Sequence, residues 1–255
     1  MKVTILGSGT SQGVPIITCD CEVCRSNDAR DKRLRTSILI ESEESVVCID
    51  AGPDFRQQML NANVKRLDAI LITHEHKDHL GGLDDARPLI FVQQKPMTVY
   101  ASKASQEEIK REYSYAFADD SERYPGAPVF DLIDITDDLI KIKDLVFEPI
   151  KLRHFTLTSY AFRIGNFAYV TDLSELSEEA FNKLKGIEYL VIEALRKREH
   201  YSHINLSQAI DIAQRLNVKK AWFTHVSHEM GKAADVNSTL PENMMLAYDG
   251  LVINI

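Results

Sequence analysis

No stretch of this sequence approaches the roughly 20 consecutive apolar residues that cross a bilayer as a helix. Its start, Met1-Lys2-Val3-Thr4-Ile5-Leu6-Gly7, alternates like a strand and lacks the apolar core of a secretory signal. Both absences lead to the expectation of a soluble, cytoplasmic protein with no membrane partner. Positive charge is also in short supply. Thirty Lys and Arg stand against 38 Asp and Glu, a formal net charge of −8. That balance opposes nonspecific binding to a phosphate backbone, so large nucleic acids are disfavoured, although a local basic patch can still exist. Cysteine is scarce: four in 255 residues, three of them within six positions, too close to staple a large fold. The fourth, Cys48, lies in the apolar pattern Val46-Val47-Cys48-Ile49 and reads as a buried small hydrophobe rather than a reactive thiol. No internal repeat or low-complexity segment is visible.

What is present is ordinary globular composition, 44% hydrophobic and 27% charged, enough for a large core in one domain of α/β or β-sandwich type. The most informative stretch is Thr73-His74-Glu75-His76-Lys77-Asp78-His79, directly after the apolar run 67–72 and before Gly81-Gly82. A loop at a strand end can turn three histidines and an aspartate toward one point, where they can ligate one or two metal ions. The alternative is a polar loop that merely carries histidines. A second cluster, Cys19-Asp20-Cys21-Glu22-Val23-Cys24, suits zinc, which wants four ligands. Three cysteines leave one position open. A redox centre and free reduced thiols are the competing readings.

Strand and helix patterns alternate along the chain, with hairpins in both halves. Residues 3–6 read as a strand. The glycine-rich run Gly7-Ser8-Gly9-Thr10-Ser11-Gln12-Gly13 follows, without the Lys-Ser/Thr of a phosphate-binding P-loop, so it reads as a turn passing close to a site. Residues 37–40 and 45–49 form a hairpin that ends at Asp50-Ala51-Gly52, and Pro53 opens a helix over 54–62. After the 67–72 strand comes a short helix through Leu83 and Ala86, with Pro88 as a breaker. Residues 98–100 are a strand, and 103–118 a helix with Ile109, Tyr113 and Phe117 at spacings of four. The acidic segment 119–135 carries Asp119, Asp120, Glu122, Pro125, Gly126 and Pro128. Residues 101–135 therefore read as an insertion beside the core sheet of a single domain, 1–255. Packing is the simplest role for its aromatics, and a lid over the site is the second. Residues 139–150 hold two short strands, 160–164 and 167–170 a hairpin, 177–185 a helix capped by Ser177, and 189–192 a strand. A helix starts at Asn205 or Ser207, 221–224 is a strand, 241–247 a last helical turn and 251–255 a closing strand.

Polar ligands recur just after apolar strands: His74, His154, Asp172 and His225. Four such events suggest strand ends converging on one edge of packed sheets.

The His74-x-His76-x-Asp78-His79 segment, followed in order by His154, Asp172 and His225, resembles the metallo-β-lactamase superfamily over essentially the whole chain. Cys19-x-Cys21-x-x-Cys24, Ser8-Gly9-Thr10-Ser11-Gln12-Gly13-Val14-Pro15 and Thr224-His225-Val226-Ser227-His228 resemble the phosphoribosyl 1,2-cyclic phosphate phosphodiesterase branch of that superfamily. The resemblance implies a four-layer αββα sandwich. It implies that His74, His76 and His154 bind one metal, that Asp78, His79 and His225 bind a second, and that Asp172 bridges them. It implies a structural zinc on Cys19, Cys21, Cys24 and His228, with Asp50 orienting the metal loop. His203, in Ser202-His203-Ile204-Asn205, takes the position of a catalytic histidine, and Asp78 counts among the catalytic residues as well as the ligands. Without the resemblance an isolated histidine is more often a surface or helix-entry residue. Only His200 is then left over, as an exposed surface residue, while Glu75 and Lys77 are spacers that face away.

The expected chemistry is attack on a small cyclic or activated phosphodiester by a water activated between two divalent ions, zinc, manganese or iron, with protonated His203 assisting the leaving oxygen. A bridging aspartate, rather than cysteine or serine, speaks against a β-lactam substrate. The competing activities are a glyoxalase II-like thioesterase or lactonase and a tRNA 3′-processing-type endonuclease, the latter opposed by the absence of a basic arm. Arg35, Arg87 and Arg163 are candidates to contact phosphate, against the ordinary reading of surface ion pairs. Relatives in this branch can be dimers, so a homodimer is one candidate state by analogy alone, and the sequence does not fix the oligomeric state.

Overall fold

The computed structural model describes residues 1–119, 121 and 123–255; Asp120 and Glu122, two acids of the 119–135 segment, lie outside that set. Two seven-stranded sheets form the centre. The first contains β1 (Lys2–Gly7), β2 (Ser37–Glu41), β3 (Val46–Ile49), β4 (Ala69–Leu71), β5 (Met97–Ala101) and β6 (Phe130–Asp134), and the last strand, β14 (Val252–Asn254), pairs beside β1. The second contains β7 (Ile140–Ile142), β8 (Leu145–His154), β9 (Leu157–Ile164), β10 (Phe167–Val170), β11 (Tyr189–Glu193), β12 (Lys220–Thr224) and β13 (Met244–Leu246). Both sheets follow one plan. An antiparallel half, β14-β1-β2-β3 or β7-β8-β9-β10, adjoins a parallel half, β3 to β6 or β10 to β13. Parallel neighbours need crossovers, and helices supply most of them.

Three apolar layers explain the stacking. Val3, Ile5, Phe147, Phe162, Tyr169 and Trp222 pack between the sheets. Leu39, Cys48, Ile70 and Val99 face α1 (Phe55–Asn61), α3 (Arg87–Gln93) and α4 (Lys103–Glu112). Ala168, Val170, Leu190 and Phe223 face α5 (Glu178–Leu184), α6 (Leu206–Arg215) and α7 (Ala233–Asn237). The result is the four-layer αββα sandwich. β10 is buried at all four positions, as a strand covered on both faces must be. Cys48 is fully buried, and burial pushes its thiol up to about 12. Among the described residues no helix is long and apolar enough to cross a membrane.

The elements depart from sequence expectation at several places. Pro88 lies in the first turn of α3 instead of breaking a helix, because no intrahelical partner is lost for a missing N–H there. Residues 244–246 form a strand instead of a helical turn: Met244, Met245 and Leu246 pair in register with Ala221, Trp222 and Phe223. A short apolar run has no periodicity to separate the two states, and sheet pairing decides it. The helix from 103 stops at Glu112, where Tyr113 leaves helical geometry and donates its hydroxyl to the Leu80 carbonyl at 2.9 Å. The 101–135 stretch also supplies β6, the edge strand beside β5.

Candidate metal centre

The carboxyl ends of the parallel strands open onto one cleft of about 320 Å³. Asp50 follows β3, Thr73 and His74 follow β4, Asp172 follows β10, Glu193 ends β11, and His225 follows β12. Open sheets collect ligands at this edge because the chain turns away there and leaves strand-end side chains convergent. Asp50, Asp172 and His225 each adopt left-handed backbone, at φ 66°, 56° and 54°. Such residues cost on the order of 1–3 kcal/mol each and concentrate at sites that need them. The histidine loop itself contains α2 (Lys77–Leu80), a single turn that swings Asp78 and His79 back toward the strand ends. A Cβ on Gly52 would overlap the Asp78 carbonyl, so only glycine lets the Asp50 turn lie against this loop.

All seven expected ligands of the centre converge. The ring nitrogens of His74, His76 and His154 lie within 4.8 Å of one another, as do the donor atoms of Asp78, His79 and His225. Asp172 stands between the groups. Its Oδ1 is 3.9 Å from His74 and 3.7 Å from His154, and its Oδ2 is 3.2 Å from His79. His225 Nε2 also approaches Oδ1, at 3.5 Å. Burial works against the charge on Asp172 and Asp78, but the surrounding imidazoles outweigh it and hold both carboxyls below their usual range.

Hydrogen bonds around the cleft aim the lone pairs inward. His79 Nδ1 donates to Asp50 at 2.7 Å, and His154 Nδ1 donates to the Ser202 carbonyl at 3.0 Å. Both rings therefore point Nε2 toward the centre; burial opposes charge on His79, but the Asp172, Asp50 and Asp78 carboxylates outweigh it and hold the ring charged, with a proton on Nε2 where a metal ion would otherwise bind. Asp50 is fixed in turn by the Thr73 N–H at 2.9 Å and by its hydroxyl. His74 is fully buried, and burial with the neighbouring His79 keeps its ring neutral. His74 Nε2 and His76 Nδ1 face each other at 2.9 Å. His79 Nε2 and both His225 ring nitrogens are buried without a hydrogen-bond partner. Orphaned nitrogens facing carboxylates are the donor set that divalent cations satisfy, so the residues present fit two metal ions.

His203 lies on the wall of this cleft, its ring 4.8 Å from that of His154. Its Nδ1 donates to Glu193 Oε2 at 2.8 Å. Glu193 is fully buried, and its other oxygen accepts the Leu173 N–H at 2.7 Å, so one carboxylate locks both His203 and the backbone beside Asp172. Burial alone would lower the His203 pKa, but the Glu193 carboxylate and its hydrogen bond raise it to about 9. Glu193 was not foreseen in the sequence, although it repeats the pattern that revealed the ligands: a charged residue closing an apolar strand. His200 is half-buried rather than a free surface residue. It stacks on Tyr201 at 4.5 Å, and its Nδ1 bonds the Ser202 hydroxyl.

Other residues turn away. Lys77 pairs with Glu108 and Glu112 of α4, and Glu75 accepts from Ser105 at 3.5 Å. Arg35 binds Asp54 and the Ser11 carbonyl, Arg87 binds Asp84, and Arg163 binds the Lys183 carbonyl; the structure brings none of the three into the cleft. No described residue of 101–135 lines it either. Tyr113 and Tyr115 instead anchor that stretch to Leu80 and Asp84. The glycine-rich loop passes close, with Gly9 bridged to Val226 and Ser11 on the cleft wall.

Near this cleft the four residues of the second cluster meet. The Sγ atoms of Cys19, Cys21 and Cys24 are 3.3, 3.4 and 3.7 Å from His228 Nδ1. All three cysteines are free thiols. A hydrogen bond from the Cys24 N–H leads the contacts that draw the Cys21 thiol down to about 6, toward the thiolate a metal requires.

Residues 46–226 match the family model described as the beta-lactamase superfamily domain. A solved structure described as a new diphosphatase from the PhnP family is 36% identical, with a TM-score of 0.91, 99% of this chain and 96% of that chain covered. Zinc-bound PqqB from Methylobacterium extorquens has the same fold, at a TM-score of 0.80, 18% identity and full coverage of both chains. An octanoyltransferase from Porphyromonas gingivalis is 39% identical over 98% of this chain, which spans about half, 51%, of that relative's length.

Proposed function

The chain belongs to the beta-lactamase superfamily, in its PhnP-like branch, and from that premise we propose that this hydrolase opens small phosphodiesters, of the cyclic ribose phosphate or cyclic nucleotide type, to monoesters. The observation that carries the reading is the pairing of a two-metal donor set with a buried Glu193–His203 couple on the same cleft wall. In this reading His74, His76 and His154 would hold one divalent ion and Asp78, His79 and His225 the other, with Asp172 available to both. Zinc, manganese and iron all suit this donor set, and zinc suits the Cys19, Cys21, Cys24 and His228 cluster. When bound, a pair of such ions neutralises phosphoryl charge and lowers the pKa of a water held between them.

The chain's own residues do the rest. Asp50 and the Ser202 carbonyl keep His79 and His154 oriented with Nε2 inward. Glu193 accepts the hydrogen bond from His203 Nδ1–H and keeps the ring charged, which leaves Nε2–H as the group able to give a proton to the departing alkoxide oxygen. A cyclic or linear diester needs that proton because an alkoxide leaves poorly. A thioester, whose thiolate leaves readily, makes less demand on it, so a charged histidine locked by a buried carboxylate favours a phosphodiester over a thioester; a lactone, which also releases an alkoxide, is separated by the substrate panel.

A second reading has a specific observation behind it: the 36% identical relative is described as a diphosphatase. The same groups serve a P–O–P bond, whose leaving phosphate depends less on His203. The acyl-transfer name belongs to a relative of which this chain spans 51%, and no feature of this cleft points to acyl transfer. A substrate panel on metal-reconstituted protein tests these readings: a cyclic ribose phosphate, a 2′,3′-cyclic nucleotide, a linear aryl phosphodiester, a nucleoside diphosphate, a thioester and a lactone. Phosphodiester turnover that falls in His203→Ala supports the first reading. Turnover of the diphosphate alone supports the second. Carbonyl turnover without either overturns both.

A further inference from the structure

Two large aromatic side chains stand exposed at the lip of the cleft. Phe155 is 53% and Tyr201 75% exposed, and both line the same pocket as His154, Asp172 and His203. Their rings meet at right angles, 5.5 Å between centroids with 75° between planes, and so form an open corner. Each is tied to the catalytic wall. Phe155 directly follows His154, and Tyr201 precedes Ser202, whose carbonyl orients His154. Neither position is loose. Phe155 opens the two-residue turn that joins β8 to β9, whose geometry calls for its left-handed φ of 53°, and its N–H donates to Ser174 Oγ at 2.6 Å. His200 stacks against Tyr201 at 26° and supports it. Exposed aromatics forgo the gain of burial, and two of them fixed edge to face beside a reactive centre mark a ligand surface.

Resting on the phosphodiesterase reading, we propose that the Phe155–Tyr201 corner determines specificity by receiving a planar ring, a nucleobase or an aryl group, carried by the phosphate ester. A ring lying on one face of the corner presents its edge to the other, which satisfies the offset and edge-to-face preferences of aromatic pairs at once. Stacking suits this lip because no arginine or lysine lines the cleft among the described residues, so grip on the organic portion comes from apolar faces. The ring stays outside the metal centre while the phosphate reaches it.

The test uses the full chain loaded with metal and repeated without it. Calorimetry compares binding of AMP, phenyl phosphate and ribose 5-phosphate to the parent protein and to Phe155→Ala, Tyr201→Ala and Tyr201→Phe. The expected result is tighter binding of ring-bearing probes by about 10- to 100-fold, lost in both alanine variants and retained in Tyr201→Phe. AMP alone preferred over ribose 5-phosphate identifies a nucleobase; phenyl phosphate preferred as well identifies planar rings in general. In turnover, the alanine variants raise KM for a 2′,3′-cyclic nucleotide with little change in kcat, while a base-free cyclic ribose phosphate is unaffected. Equal binding of all three probes, or a ring preference unchanged in both alanine variants, overturns the proposal. Ring preference in binding without phosphodiester turnover would instead overturn the phosphodiesterase reading and leave the corner standing.

Discussion

Replacing Glu193 by Gln isolates the charge that sustains His203. The substitution keeps shape: a glutamine oxygen can still accept the Leu173 N–H, and its NH2 can donate to His203 Nδ1, which inverts the tautomer of the ring. In the parent, the carboxylate overrides burial and lifts His203 from its ordinary 6.5 to about 9, which corresponds to about 3 kcal/mol at ~1.36 kcal/mol per pKa unit. Without it, burial is opposed by the more distant Asp172 and Asp78, and the ring should titrate well below the parent value. At pH 8 the charged fraction, about nine-tenths in the parent, should then fall sharply. Because the folded pKa lies above the unfolded one, this histidine's contribution to stability is full below pH 6.5 and is lost as pH rises through 9. Glu193→Gln should flatten stability across that window. The assay is an NMR titration of His203 in metal-free protein whose fold is verified by circular dichroism, together with urea melts at pH 6 and pH 9. A His203 that titrates near 6.5 in the parent, or still near 9 in the variant, refutes the assignment of the shift to Glu193.

Other perturbations separate the remaining parts. His203→Ala should keep the fold and metal content but lose about 10²–10⁴-fold in turnover of an unactivated phosphodiester, and unchanged turnover removes it from the mechanism. Asp50→Ala frees the His79 ring and leaves Thr73 without its partner; dimetal affinity measured by competition with a chelator should weaken by about 10- to 100-fold. Cys21→Ala should lower the melting temperature before it alters the dimetal centre, and metal analysis of the parent should give three ions per chain. Two ions per chain with all three clustered cysteines titratable would remove the structural zinc.

Much of the cleft was legible because its donors are rare residue types in tight runs or at strand ends. His74 to His79 announces itself in six positions, and Asp172 and His225 each close an apolar strand. The sheets were legible in part: β8 alternates buried and exposed positions, but it runs on to His154 and β9 starts at Leu157, beyond the expected 139–150 and 160–164. What stayed hidden depends on contacts distant in sequence. Whether residues 244–246 are strand or helix is settled by pairing with β12. Glu193 looks like any glutamate until His203, ten positions later, is folded against it.

The left-handed residues carry the same lesson further. Glycine usually marks a positive φ, yet Asp50, Phe155, Asp172 and His225 all adopt one; at Phe155 the two-residue turn between His154 and Leu157 calls for it, while at His225 no local preference does. At Asp172 and His225 the unusual turn reverses the chain at a strand end and leaves a polar side chain in the cleft, and at Asp50 it leaves one behind His79. At Phe155 the hairpin turn presents a ring to solvent beside His154. Left-handed backbone thus presents residues suited to chemistry and one suited to recognition. Donor chemistry can be read from residue type because few side chains bind metals. Recognition by a phenylalanine cannot, because phenylalanine nearly always means core, and only its exposure at the lip distinguishes it.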